Sequence, residues 1–255
     1  YREKLRPMQL CTTTPLKDHA FSQRTLLRTA GLRRLRREWH DFATSLVLDG
    51  AHGNIFVRWS MPDRPAQLRA VITPALATPY AGGWFVFDIV VPHDYPRTPP
   101  QMLFQTTNGN TVRFNPNLYS NGKVCLSLLG TWAGEPWNPG VSNLNQVLLS
   151  IFAMIFTEHP FYNEPGYHRL RGTEDGNARS AQYTADARYH TLRHAVHDVL
   201  CPPVQTAHDV EADECKNGTS NAAPADAPPE DQPGLPYTHI CCSAACPRAS
   251  VHLRA

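Results

Sequence analysis

Four short apolar runs, Ile55 to Trp59, Leu68 to Ile72, Trp84 to Val91 and Met102 to Phe104, follow one another with only about ten residues rich in Pro, Gly and Asp between them. That spacing constrains the fold more than any other feature. A parallel pair of strands needs a crossover of a dozen or more residues, whereas antiparallel neighbours need only a turn. The runs therefore predict a four-stranded antiparallel meander. Helical periodicity lies on either side of it, so the fold class is α+β, with an N-terminal helix, one small sheet, an irregular stretch over 105–140 and then C-terminal helices.

The first helix is expected from Arg24, because Leu27, Leu32, Leu35, Trp39, Phe42 and Leu46 recur near helical spacing, with Arg28, Arg33, Arg36 and Arg37 largely on other faces. Taken alone, those arginines describe a solvated basic face. A second helix is expected over 142–157, carrying Leu144, Val147, Leu148, Ile151, Ile155 and Phe156, and a third from Ser180 to Leu200. Residues 1–22 show no clear period and read as a lead-in to a core domain over 23–200. The remainder, 201–255, reads as a tail: residues 216–236 are mainly Ala, Pro, Asn, Asp and Gly, too poor in large apolar side chains to offset the entropy of ordering them. Cys241, Cys242 and Cys246 lie beyond, with His239 and His252. Their spacing departs from paired Cys-x-x-Cys ligation, so a flexible tail is the expectation there, and no metal or cofactor is expected anywhere in the chain.

A formal net charge of +2 over 255 residues gives no electrostatic case for nucleic acid or a membrane surface as partner, and no apolar run approaches the roughly 20 residues of a membrane span. Seven cysteines without framework spacing favour a reducing compartment, hence an intracellular protein of cytoplasm and nucleus.

The chemistry concentrates in Phe114-Asn115-Pro116-Asn117-Leu118-Tyr119-Ser120-Asn121-Gly122-Lys123-Val124-Cys125-Leu126. A thiol is the best side-chain nucleophile for holding an acyl group, and an asparagine amide is a neutral donor suited to an oxyanion. Pro116 stiffens the chain before Asn117, and Gly122 allows a turn closed to bulkier residues, so thiol and amide can share one pocket. The competing reading makes Cys125 a small core residue among Leu126, Leu128 and Leu129, and Asn117 a residue that stabilises its own turn. The two roles of Asn117 are compatible.

This run resembles the active site of the ubiquitin-conjugating enzyme family: His-Pro-Asn, a turn with Gly, then the cysteine. Other family elements follow in order. Leu32 to Glu38 resembles the first helix, and Thr78-Pro79-Tyr80-Ala81-Gly82-Gly83-Trp84-Phe85 the loop between the second and third strands. Tyr95-Pro96-Arg97-Thr98-Pro99-Pro100 resembles the Tyr-Pro-x-x-Pro-Pro element, and Trp137-Asn138-Pro139 the Trp-Ser-Pro that precedes a helix. A narrower resemblance is to the giant BIR-repeat conjugating enzymes and the large conjugating-ligase hybrids. It rests on Asn115 in place of the first His, on Lys123 to Trp132, on Asn163-Glu164-Pro165-Gly166-Tyr167 and on Arg171-Gly172-Thr173. Tyr1 as first residue fits a piece of such a parent and equally a trimmed sequence.

The resemblance implies an acyltransferase. Cys125 would take ubiquitin as a thioester from the activating enzyme and pass it to lysines of substrate proteins, directly or with a ubiquitin ligase. Asn117 would steady the oxyanion, where one good donor contributes about 2.7 to 4 kcal/mol in comparable sites. Asn115 and Pro116 would hold the active-site loop, and Ser127 stands where many relatives have Asp. Glu164 is the nearest positional match for the acidic residue that activates the acceptor lysine, and equally reads as a solvated loop charge. Arg33, Arg36 and Arg37 fall on the helix that resembles the docking surface for the activating enzyme. Arg97, Trp137 and Pro139 complete the implied partner-binding set, although Arg97 replaces the apolar residue that ligases of the family commonly grip. Between Cys125 and Trp137 the chain is also some four residues longer than compact members, at Gly130 to Pro136. The alternatives left open are a non-catalytic ubiquitin-binding variant, conjugation of a ubiquitin-like modifier, and a cysteine hydrolase, for which none of the 12 histidines lies in a recognisable protease signature.

Overall fold

The computed structural model describes residues 1–13, 16 and 18–201. The expected meander is present as β3 (Gly53–Trp59), β4 (Gln67–Thr73), β5 (Phe85–Val90) and β6 (Gln101–Phe104), each antiparallel to the next. The register sets Val57 opposite Ala70, Ala70 opposite Phe87 and Phe87 opposite Phe104. Alternation then puts Ile55, Leu68, Ile72, Phe85 and Ile89 on the same inner face, all of them at or near zero exposure.

The sheet carries two more strands than the spacing predicts. β1 (Leu10–Thr12) pairs parallel with β3, Leu10 opposite Val57, and β2 (Leu48–Asp49) closes a tight hairpin onto Gly53 and Asn54. The parallel pairing is accessible because the whole first segment and a helix separate β1 from β3, a connection long enough to cross over. Gly53 is required in the hairpin: its φ is +101°, and a Cβ there would lie 2.3 Å from the Thr73 carbonyl oxygen.

Residues 1–22 thus do more than lead in. Helix α1 (Arg2–Gln9) ends on Gln9, whose buried side-chain amide faces the carbonyls of Leu46, Val47 and Ile55 at 2.9 to 3.2 Å. Further on, the segment crosses the outer face of the sheet. There Arg69 and Asp88, opposite one another on β4 and β5, form a buried ion pair (Nε to Oδ1, 2.6 Å), and the Ala20 amide donates to Asp88 Oδ2 at 2.8 Å. Asp18 holds the far side of the Arg69 guanidinium at 3.1 Å.

Helix α2 spans Thr29–Ser45 and starts later than Arg24. Residues 24–28 are not helical: Arg28 is the extended residue that precedes the helix, its amide donating to the His93 carbonyl (3.3 Å) and its carbonyl taking the Leu32 amide of the first helical turn (3.0 Å). Its inner face buries Gly31, Leu35, Glu38 and Phe42. Glu38 is the hub: its carboxylate accepts from Arg34, from the Tyr95 hydroxyl at 2.8 Å and from the Leu144 amide at 2.9 Å. One buried side chain so joins α2, the Tyr-Pro-x-x-Pro-Pro element and the next helix.

That helix, α3 (Leu144–Ser150), is opened by a capping box in which Asn143 and Gln146 each accept the other's backbone amide. A π-helical turn, Ile151–Ile155, completes the expected 142–157 segment. The last helix, α4 (Glu174–His190), begins six residues before Ser180 and runs on through a π-helical stretch to Leu200. Its start is set by Thr173, whose hydroxyl accepts the Gly176 amide at 3.0 Å. Apolar period is absent there because the buried positions are Gly176 and Ser180. None of the described helices is long and apolar enough to cross a membrane. The tail expected over 201–255, with its cysteine cluster, lies outside the described residues apart from Cys201.

Candidate active site

Below the end of β6 the chain folds back on itself, and Cys125 and Asn117 meet across the turn. The Cys125 amide donates to the Asn117 carbonyl at 2.8 Å, and Asn117 Nδ2 donates to the Cys125 carbonyl at 3.0 Å. Gly122 allows the reversal: its φ is +85°, and a Cβ would sit 2.7 Å from the Phe104 carbonyl oxygen. Cys125 retains 2% of its surface, and Asn117 is half-buried.

Asn115 is fully buried and uses both ends of its amide. Its Nδ2 donates to the Tyr80 hydroxyl (3.0 Å) and the Ile155 carbonyl (2.8 Å), and its Oδ1 accepts the Asn117 amide (2.9 Å). Tyr80 in turn donates to the Phe114 carbonyl at 2.9 Å, and burial pushes its phenol well above the ordinary value near 10. The π-helical turn matters here, since Ile155 at its end is the residue whose carbonyl meets Asn115. Pro116 is buried behind this shell.

Two residues of the site were not singled out by chemistry in the sequence. Thr131 lies in the Gly130 to Pro136 extension, and its hydroxyl accepts the Leu126 amide (3.0 Å) while donating to the Val124 carbonyl (2.6 Å). It therefore clamps the chain on both sides of Cys125. Arg113 donates to the Pro116 carbonyl at 2.7 Å, stacks 4.4 Å over the Tyr119 ring and pairs with Glu164 at 3.6 Å. Thr131 stood within the matched Lys123 to Trp132 run, which was its only signal. Arg113 had none.

Glu164 is half-exposed and tied through Arg113 to the loop before the thiol. Ser127 opens a short 3-10 turn, Ser127–Leu129, and Gly134 of the extension folds back so closely that a Cβ there would lie 3.1 Å from the Ser127 Cβ. Arg33, Arg36 and Arg37 are exposed on α2, and Arg97 and Pro139 are exposed near the Tyr95 element. Trp137 differs from them. Its ring packs against Tyr95 with centroids 5.9 Å apart and its Nε1 donates to the Pro96 carbonyl at 2.7 Å, so it holds that element in place.

A meander sheet flanked by helices, with asparagine and cysteine locked across one turn, defines a ubiquitin-conjugating enzyme fold, and the model of that family matches residues 43–190. The chain belongs to the ubiquitin-conjugating enzyme family. Among curated proteins it is 44% identical over 177 residues to the dual E2 ubiquitin-conjugating enzyme/E3 ubiquitin-protein ligase BIRC6 of Homo sapiens, a match covering 68% of this chain and 4% of that protein. It is 41% identical over 181 residues to the probable ubiquitin-conjugating enzyme protein 17 of Caenorhabditis elegans (70% of this chain, 24% of that protein). Human ubiquitin-conjugating enzyme E2 Z is 47% identical over 139 residues (53% and 38%). The chain thus spans less than half the length of these relatives, and the narrower resemblance to the giant BIR-repeat enzymes is borne out by the BIRC6 match.

Proposed function

We propose that this chain accepts ubiquitin from the activating enzyme as a thioester on Cys125 and passes it to a lysine of a substrate protein. The observation that carries the proposal is the reciprocal pair of hydrogen bonds between Cys125 and Asn117. Asn117 Nδ2 bears two hydrogens, of which the Cys125 carbonyl takes one. The second is free for an oxyanion, so turn stabilisation and transition-state stabilisation need not compete.

In loading, the Cys125 thiolate attacks the thioester carbonyl on the activating enzyme, and the bond to that enzyme's sulfur breaks as its thiolate leaves. In transfer, a neutral lysine amine attacks the Cys125 thioester, an isopeptide bond forms, and the Cys125 thiolate departs while the amine gives up its proton. An ordinary lysine has a pKa near 10.4, so the amine needs a base or a dry environment. We assign that task to Glu164, which Arg113 holds beside the loop. Because Cys125 is almost closed off, loading requires the loop to open locally, and the largely exposed extension at 130–136 is the side able to yield.

The same proposal gives the exposed arginines Arg33, Arg36 and Arg37 to the activating enzyme, and the surface around Arg97 and Pro139 to a ligase. It places the catalytic unit within residues 23–200 and the protein inside the cell, where a reducing environment keeps the thiol free. The test is incubation with activating enzyme, ATP and ubiquitin, resolved with and without reductant. Wild type should form a reducible adduct and Cys125→Ala none. An adduct only with a ubiquitin-like modifier would redirect the assignment of cargo.

A further inference from the structure

On the far side of the turn that supports Asn115, a cavity of about 620 Å³ opens between helix α4 and the short 3-10 turn Pro160–Asn163. Three cationic or cation-capable side chains line it, His159, Arg171 and Arg188, and no carboxylate does. Arg171 rests 4.8 Å over the Tyr162 ring, which orients the guanidinium and leaves its N–H edges unpaired. Neither Arg171 nor Arg188 has an ion-pair partner among the described residues. The Thr184 hydroxyl on the same wall is buried and has no hydrogen-bond partner. Both guanidinium groups are exposed, so their unpaired N–H edges face solvent and are open to an incoming acceptor, whereas the Thr184 hydroxyl is closed off from it.

We propose that this cavity binds an acidic segment of the acceptor protein, carboxylates of Asp or Glu bridging Arg171 and Arg188. The occupant is argued from charge: guanidinium groups are suited to carboxylates, and the lining offers donors without a competing acid. The location is argued from connectivity. Asn163, at the end of the same turn, donates to the Met154 and Ile155 carbonyls at 3.1 and 3.3 Å, and Ile155 also holds Asn115. A segment seated there is one short turn from the active-site shell. The acceptor part of this inference rests on the conjugating function proposed above, and the binding part does not.

Fluorescence anisotropy on the full chain separates the two. A labelled peptide alternating Glu and Gly should bind at low ionic strength, and a Gln-Gly peptide of equal length should not. Replacing both arginines, Arg171→Glu with Arg188→Glu, should weaken the Glu peptide at least about tenfold and allow a Lys-Gly peptide to bind instead. No binding, or equal binding to wild type and variant, overturns the site. A phosphoserine peptide binding about tenfold more tightly than the Glu peptide overturns the choice of carboxylate. In discharge of the preformed thioester, a lysine within the Glu peptide should react faster than one within the Gln peptide, and the double variant should lose that advantage. Equal rates on wild type overturn the acceptor role. Anisotropy needs no thioester, so a chain that failed to load would still report on the cavity.

Discussion

Asn117 and Cys125 hold each other twice, amide to carbonyl at 2.8 Å and side chain to carbonyl at 3.0 Å. Asn117→Ala removes the second bond and the free donor together. The bond is worth about 1 kcal/mol of loop stability, whereas one oxyanion donor is worth about 10²-fold to 10³-fold in rate. Loading should persist while discharge to lysine slows by that larger factor, measured in single turnover from preformed thioester. Equal, small losses in both steps would reduce Asn117 to a turn residue.

Thr131 spans the nucleophile, bonding Leu126 N and Val124 O. Thr131→Val keeps the shape but leaves both backbone groups without their partner, at a cost of about 1 to 3 kcal/mol. Denaturant melts should register the loss, and Thr131→Ser should recover most of it. The rate of Cys125 alkylation should rise in the Val form as the loop loosens.

Asn115→Leu strips the side-chain partner from the Asn117 amide and removes one of the donors that converge on the Ile155 carbonyl, at a position with no solvent exposure of its own. Destabilisation of about 2 kcal/mol or more is expected, with loss of transfer. Asn115→His, which retains a donor and an acceptor, should be tolerated far better, read as a smaller drop in melting temperature.

The Arg69–Asp88 pair lies on the outer face of the sheet, bonded to the N-terminal segment. Asp88→Ala leaves Arg69 with only the more exposed Asp18 and should cost about 3 to 5 kcal/mol by equilibrium unfolding. Transfer per folded molecule should hold.

His190 packs edge-on to Phe114, beside Asn115, and stacks on His194. Burial, with His194 adding to it, lowers its pKa from the ordinary 6.5. The unfolded chain then binds the proton more readily, so stability is full above about pH 6.5 and declines as pH falls toward the lowered folded value. His190→Gln should flatten that part of the stability curve; an unchanged slope would contradict the assignment.

The meander, the three main helices and the Asn117 to Cys125 turn were legible because each is written locally, in alternation, helical spacing or turn residues. What escaped is non-local. Glu38 meets Tyr95 and Leu144, Gln9 meets Leu46 and Ile55, and Asn115 meets Tyr80 and Ile155. Such polar contacts leave no period, so α1 and β1 read as a lead-in. The early turns of α4 escaped for a related reason, since they bury Gly176 and Ser180 where an apolar side chain would have marked the face.

Replacing sulfur by oxygen at the nucleophile tests the central assignment most directly. With activating enzyme, ATP and ubiquitin, wild type should gain one ubiquitin, by intact mass less one water, in a bond that reductant cleaves. Cys125→Ser should either fail to load or carry an oxyester that survives reductant. A reducible adduct that persists in Cys125→Ser would place the acyl group on another cysteine and contradict the account.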